Sequence, residues 1–238
     1  MKSSRWSVLG VLIGALLLLL ALHLIFRTSY VDDWDYWELV GFFDMDSEIS
    51  LFAWYSNTIL LFVPAVLLFY IGWIKHQARE KLSWGWLTMG AIFLFLSIDD
   101  AAMIHEKVST LNRLSGLQDS LSSINPFAFA WSWWVVYLPI VALLAVILLR
   151  WFLALPKRTK ILAVTAISIA IVGQVGMEVI SSFVSSSTGE YVNPTWRGLQ
   201  KFTGRLGLSV FLFSIIDYIC LTPGVKSRFT ALFASRAK

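Results

Sequence analysis

The string Leu96-Ser97-Ile98-Asp99-Asp100-Ala101-Ala102-Met103-Ile104-His105-Glu106-Lys107 sets three carboxylates and one imidazole at the end of a strongly apolar run. Ionisable groups at membrane depth are costly, so such a cluster marks either a site of acid–base or metal chemistry or a set of mutually neutralising ions. On an ideal helix at about 100° per residue, Glu106 falls roughly 20° behind Asp99, while Lys107 and Asp100 fall roughly 80° and 100° ahead of it. His105 falls roughly 100° from Glu106, so an unbroken helix cannot aim the imidazole and all three acids at one point. Either His105 faces another neighbour, or the helix loosens after Ile104.

Other polar residues sit at a comparable depth in separate apolar runs. His23 ends the first run, Asn57 begins the second, and Gln174 and Glu178 lie in the outer half of the fifth. Arg197, Lys201 and Arg205 follow each other at intervals of four, a basic ridge along one helix face. Carboxylate and imidazole suit zinc, manganese or iron, so Asp99, Glu106, Glu178 and one of His23 or His105 form a candidate ligand set. A divalent ion there would lower the pKa of a bound water for hydrolysis. His105 and Asp100 are the candidate acid–base pair, and Arg205, Lys201 and Gln174 the groups to hold an anionic headgroup or oxyanion. The same residues also support a chemically silent reading, because Asp99, Asp100, Glu106 and Glu178 are matched in number by Lys107, Arg197, Lys201 and Arg205. Bis-histidine haem ligation by His23 and His105 fits less well, since Glu106 and Lys107 would charge the pocket.

The elements that must position these groups follow from composition. With 58% hydrophobic and 14% charged residues and a mean hydropathy of +0.72, the chain lies outside the range of soluble domains. An all-α polytopic membrane protein is expected, with six transmembrane helices in one bundle. The spans are predicted at about 8–26, 51–74, 84–104, 131–153, 161–184 and 199–221, each long enough to cross a hydrocarbon core of about 30 Å. Pro64 and Pro139 should kink the second and fourth. The first run is too long for a signal-peptide core and lacks a small-x-small cleavage site, so it is read as a retained span.

Lys and Arg collect in alternate loops: Lys2 and Arg5, then Lys75, Arg79 and Lys81, then Lys157, Arg158 and Lys160, then Lys226, Arg228, Arg236 and Lys238. By the positive-inside rule that side is cytoplasmic, and both termini lie on it. The basic pI near 9.2 therefore reports orientation, and no nucleic-acid partner is expected. Residues 28–50 are too charged to span and are expected to lie in the outer interface, with Asp44 to Glu48 as a solvated acidic face. Ile49 and Tyr55 occupy the positions where a calcium-binding EF-hand needs Gly and Glu, which excludes that motif. The single Cys220 excludes an internal disulfide. No repeat or second domain is visible, so residues 1–238 form one domain.

Leu96-Ser97-Ile98-Asp99-Asp100 followed by His105-Glu106 resembles a motif of bacterial multi-pass inner-membrane proteins of unassigned function: Leu-Ser-x-Asp, an acid, four residues, then His-Glu. The resemblance covers about a dozen residues; it implies a bacterial inner-membrane location and carries no activity. Alkaline-ceramidase-like hydrolases use Ser, Asp and three His, but here His76 falls on the wrong side to join His23 and His105. Membrane desaturases need more histidines than three, and a rhomboid-type Gly-x-Ser-Gly is absent. The expected function is a periplasm-facing site for metal-assisted hydrolysis or group transfer on a lipid-like substrate. An ion-coupled carrier using the same acids, or a scaffold held by ion pairs, are the alternatives.

Overall fold

The computed structural model describes residues 2–30, 34–116, 120, 133–177, 180 and 194–234. The described residues form nine helices and no strand: α1 (Lys2–Ser29), α2 (Trp37–Phe43), α3 (Leu51–Gln77), α4 (Ser83–Ala102), α5 (Ile104–Leu114), α6 (Trp133–Ala154), α7 (Lys157–Gly176), α8 (Pro194–Leu221) and α9 (Pro223–Ala234). Six of them, α1, α3, α4, α6, α7 and α8, are long and apolar enough to cross a membrane, and the fold is all-α. The third span stops at Ala102, two residues short of the expected end, because Met103 adopts a left-handed conformation with φ 51° and ψ 42°. The outer part of the expected fifth span, beyond residue 177, lies outside the described residues.

Contacts at the helix ends establish alternating direction. Arg5 at the start of α1 and Arg158 at the start of α7 both bond Asp217 near the end of α8. Gly85 at the start of α4 packs against Trp151 at the end of α6, and Lys75 at the end of α3 lies 5.8 Å from the Tyr218 ring. The basic loops thus share one end of the bundle, termed here the basic end. The opposite, outer end carries Asp44 to Glu48, Asp99 to His105 and Arg197 to Arg205.

Helix α8 is the hub: 56% of its most apolar window is buried, against 11% for α6. One core joins Leu68, Ile71, Trp86, Trp151 and Tyr218, and a second joins Leu16, Phe52, Leu60 and Leu212 with Met45 from the outer segment. Lipid tails are as apolar as leucine, so close packing rather than water exclusion must hold such helices together. Glycine supplies it on α8. A side-chain carbon at Gly173 of α7 would fall 2.3 Å from the Gly204 backbone nitrogen, and one at Gly207 would fall 2.6 Å from the Ala166 carbonyl.

Two spans contain wide turns at the outer end. Val63 N–H bonds the Thr58 carbonyl and Met177 N–H bonds the Val172 carbonyl, each five residues back, over Ser56–Phe62 and Val172–Gly176. The first lies directly ahead of Pro64, whose ring has no N–H and crowds the preceding turn, so the helix widens there. Such turns rotate the side chains that follow relative to a regular helix, and they favour sites where polar groups must be re-aimed.

Candidate functional site

The left-handed Met103 separates α4 from α5 and folds the motif back on itself. Asp99, 8% exposed, accepts the backbone N–H of His105 at 3.0 Å, so its carboxylate caps the first turn of α5. The same carboxylate lies 3.1 Å from His105 Nδ1 and accepts the Tyr137 hydroxyl of α6 at 2.8 Å. A carboxylate facing Nδ1 holds the proton on that nitrogen and leaves the basic lone pair on Nε2. The helix therefore loosens two residues earlier than expected, and the break is what brings acid and imidazole together.

Asp100, next in sequence, takes a different partner. Its Oδ1 lies 3.4 Å from Nη2 of Arg205, whose Nε donates to the Ser56 hydroxyl in the wide turn of α3. Arg205 also lies 5.9 Å from the Phe52 ring, and its own carbonyl accepts the buried Ser209 hydroxyl at 3.0 Å. Beside it Asn57 and Ser97 exchange two hydrogen bonds: Asn57 Nδ2 donates to the Ser97 carbonyl at 2.8 Å, and Ser97 Oγ donates to Asn57 Oδ1 at 2.6 Å. Four spans, α3, α4, α6 and α8, thus meet in one polar layer with α5.

The remaining candidates divide. Glu106 is exposed, and Glu178 lies outside the described residues. His23 is buried, but its neighbours come from the outer segment and α8 rather than α4: Met45 N–H at 3.1 Å from Nδ1, Asp44 Oδ1 at 3.4 Å, and Gly198, where a side-chain carbon would fall 2.6 Å from Nε2. Nδ1 serves Met45 when the imidazole is neutral and Asp44 when it carries a second proton. Among the described residues no three of His, Cys, Asp and Glu gather as a metal site, so Asp99 and His105 stand as two adjacent donors without a third. Gln174 is exposed; its backbone carbonyl accepts Gln200 Nε2 at 3.5 Å, and its side chain covers Gly204.

The acidic segment Asp44 to Glu48 is not a solvated face. It spans α1 and the basic ridge of α8: Arg27 lies 3.7 Å from Asp44, Arg197 2.9 Å from Asp46, and Lys201 3.6 Å from Glu48. Among the described residues, the ridge reaches an acid of the third span through Arg205. Burial pushes the Asp44 carboxyl up; the His23 contact, the Asp46 N–H, and the charges of His23 and Arg27 outweigh it, so the group titrates below its ordinary 3.8.

Tyr137 and Ser56 belong to the site and were not among the candidates read from sequence. The available signal was depth alone, a hydroxyl near the outer end of an apolar run. No curated protein and no solved structure matches the chain. A family profile described as "Domain of unknown function (DUF8692)" matches residues 9–215, which takes in every span up to the buried half of α8, and the chain belongs to that family.

Proposed function

We propose that this membrane protein binds the anionic headgroup of a lipid-like substrate at its outer end and hydrolyses or transfers it by acid–base chemistry. The observation that carries this reading is the pair of adjacent carboxylates with opposite partners, Asp99 on His105 and Asp100 on Arg205. In it His105 Nε2 is the general base, Asp99 fixes its tautomer, and Arg205 meets the negative charge that develops on the substrate. At 3.4 Å the Arg205–Asp100 contact is long for a charged pair, so a phosphate or carboxylate can compete for the guanidinium. Zinc, manganese or iron held in part by Asp99 and His105 would supply a Lewis acid. In this reading the termini lie in the cytoplasm and the site at the periplasmic face of a bacterial inner membrane, supported by the charge bias of the loops and by the motif's likeness to such proteins.

A second reading is favoured by the number of ion pairs. Arg197, Lys201 and Arg205 each have an acid within reach, as a scaffold with no chemistry would need. The test is turnover by the purified chain in nanodiscs of mixed phospholipids, followed by mass spectrometry of released headgroups and fatty acids, with metal analysis of the same sample. Turnover should fall by at least about 100-fold in His105→Ala and Asp99→Asn while the melting transition persists. Absence of turnover across lipid classes, with stability alone responding to these variants, replaces the enzyme by the scaffold.

A further inference from the structure

At the opposite end of the bundle, Asp217 is 1% exposed and held by two arginines, Arg5 Nη1 at 2.7 Å and Arg158 Nε and Nη2 at 2.7 and 3.2 Å. One cation would neutralise it. The second leaves an excess of positive charge, and Lys157 adds to it, exposed and without an acidic partner among the described residues. Asp217 uses one edge of the Arg158 guanidinium, while the Arg158 side chain remains 48% exposed.

These groups border an open cavity of about 510 Å³ lined by Trp6, Lys157, Arg158, Ile161 and Leu162. On α7, Lys157 lies one turn before Ile161 and Arg158 one turn before Leu162, so two cations sit directly above two exposed or half-exposed apolar side chains on one helix face. Trp6 forms the facing wall, braced on Phe213 with ring centres 4.9 Å apart and lying 5.9 Å from the Arg158 guanidinium. A half-exposed tryptophan at a helix end is an interfacial anchor. Charge over hydrocarbon, at headgroup depth, is the complement of a phospholipid.

We propose that this cavity is a binding site for an anionic phospholipid, with its phosphate on Lys157 and the outer edge of Arg158 and its first acyl methylenes along Ile161 and Leu162. Basic pockets between helices recognise anionic headgroups by this combination, and Asp217 acts as the positioning residue that holds Arg158 in place. The site is remote from the Asp99–His105 layer and independent of any chemistry there.

The test uses the full chain in neutral detergent, titrated with phosphatidylglycerol, with phosphatidylcholine of the same acyl chains, and with inorganic phosphate, read by native mass spectrometry. Phosphatidylglycerol should bind roughly tenfold tighter than phosphatidylcholine, and Lys157→Gln should weaken it by about fivefold. Trp6→Ala should weaken both lipids. Equal affinity for the two lipids, or an equal loss in Lys226→Gln on α9, would overturn the site. Displacement of the lipid by millimolar phosphate would overturn the lipid assignment in favour of a free-anion site.

Discussion

Asp99 and His105 are joined twice, through the His105 backbone N–H at 3.0 Å and through Nδ1 at 3.1 Å, across a single left-handed residue. The double contact makes the pair part of the fold as well as part of the site. Asp99 also receives Tyr137, so three donors converge on one carboxylate. Removing the carboxylate takes an acceptor from all three, whereas removing one donor leaves the carboxylate the other two. Asp99→Ala should therefore cost roughly 3 kcal/mol and Tyr137→Phe about 1 kcal/mol. Melting of the purified variants in detergent measures both, and equal losses would mean that Asp99 does not organise the break.

Met103 sits in a region that costs a residue with a side chain roughly 1–2 kcal/mol. Glycine enters it freely, and β-branched residues enter it worst. Met103→Gly should leave stability unchanged or raise it by up to about 1 kcal/mol, while Met103→Ile should lower it by more than about 1 kcal/mol. The same series, scored for turnover if turnover is found, should follow the Asp99–His105 contact rather than the bulk of residue 103.

The spans were legible because a run of some twenty apolar residues has few other fates. The left-handed Met103 was not, since methionine is an ordinary helix former and only the angular conflict at His105 hinted at a break. The partners of the acids were misjudged for a related reason. Arg197, Lys201 and Arg205 form one ridge in sequence, yet the segment joining α1 to α3 reaches two of them first. Charge counting fixes how many pairs can form, and only the path of the chain fixes which. Glu178 itself lies outside the described residues.

Glycine-to-alanine substitutions separate packing from open space. Gly173→Ala sets a methyl against the Gly204 backbone, which cannot swing aside, and should prevent native packing of α7 on α8, a loss of at least about 3 kcal/mol. Gly198→Ala meets the His23 ring, which can shift slightly, and should cost about 1–3 kcal/mol. Gly10→Ala and Gly14→Ala meet nothing within 4 Å and should be neutral or stabilising by up to about 1 kcal/mol. A ranking other than this, read from melting temperatures, would mean that α7 and α8 do not touch along these residues.

Asp44 links the outer segment to acidity. Its folded titration lies below 3.8, so it stabilises the fold fully above that value and the contribution is lost as pH falls through the depressed one. Protonation frees the carboxyl from Arg27 and from the His23 ring, and the segment then keeps the Arg197 and Lys201 ion pairs and the Met45 contacts. The melting temperature should drop as pH falls below about 4, and Asp44→Asn should show a smaller drop from a lower starting value. Asp46→Asn separates this from general acid loss, because the half-exposed Arg197–Asp46 pair is screened by water and should be worth at most about 1 kcal/mol. A pH profile identical in wild type and Asp44→Asn would show that the acidic segment is held to α1 by its backbone contact with His23 and by Met45 in the core, with the carboxylate contributing nothing.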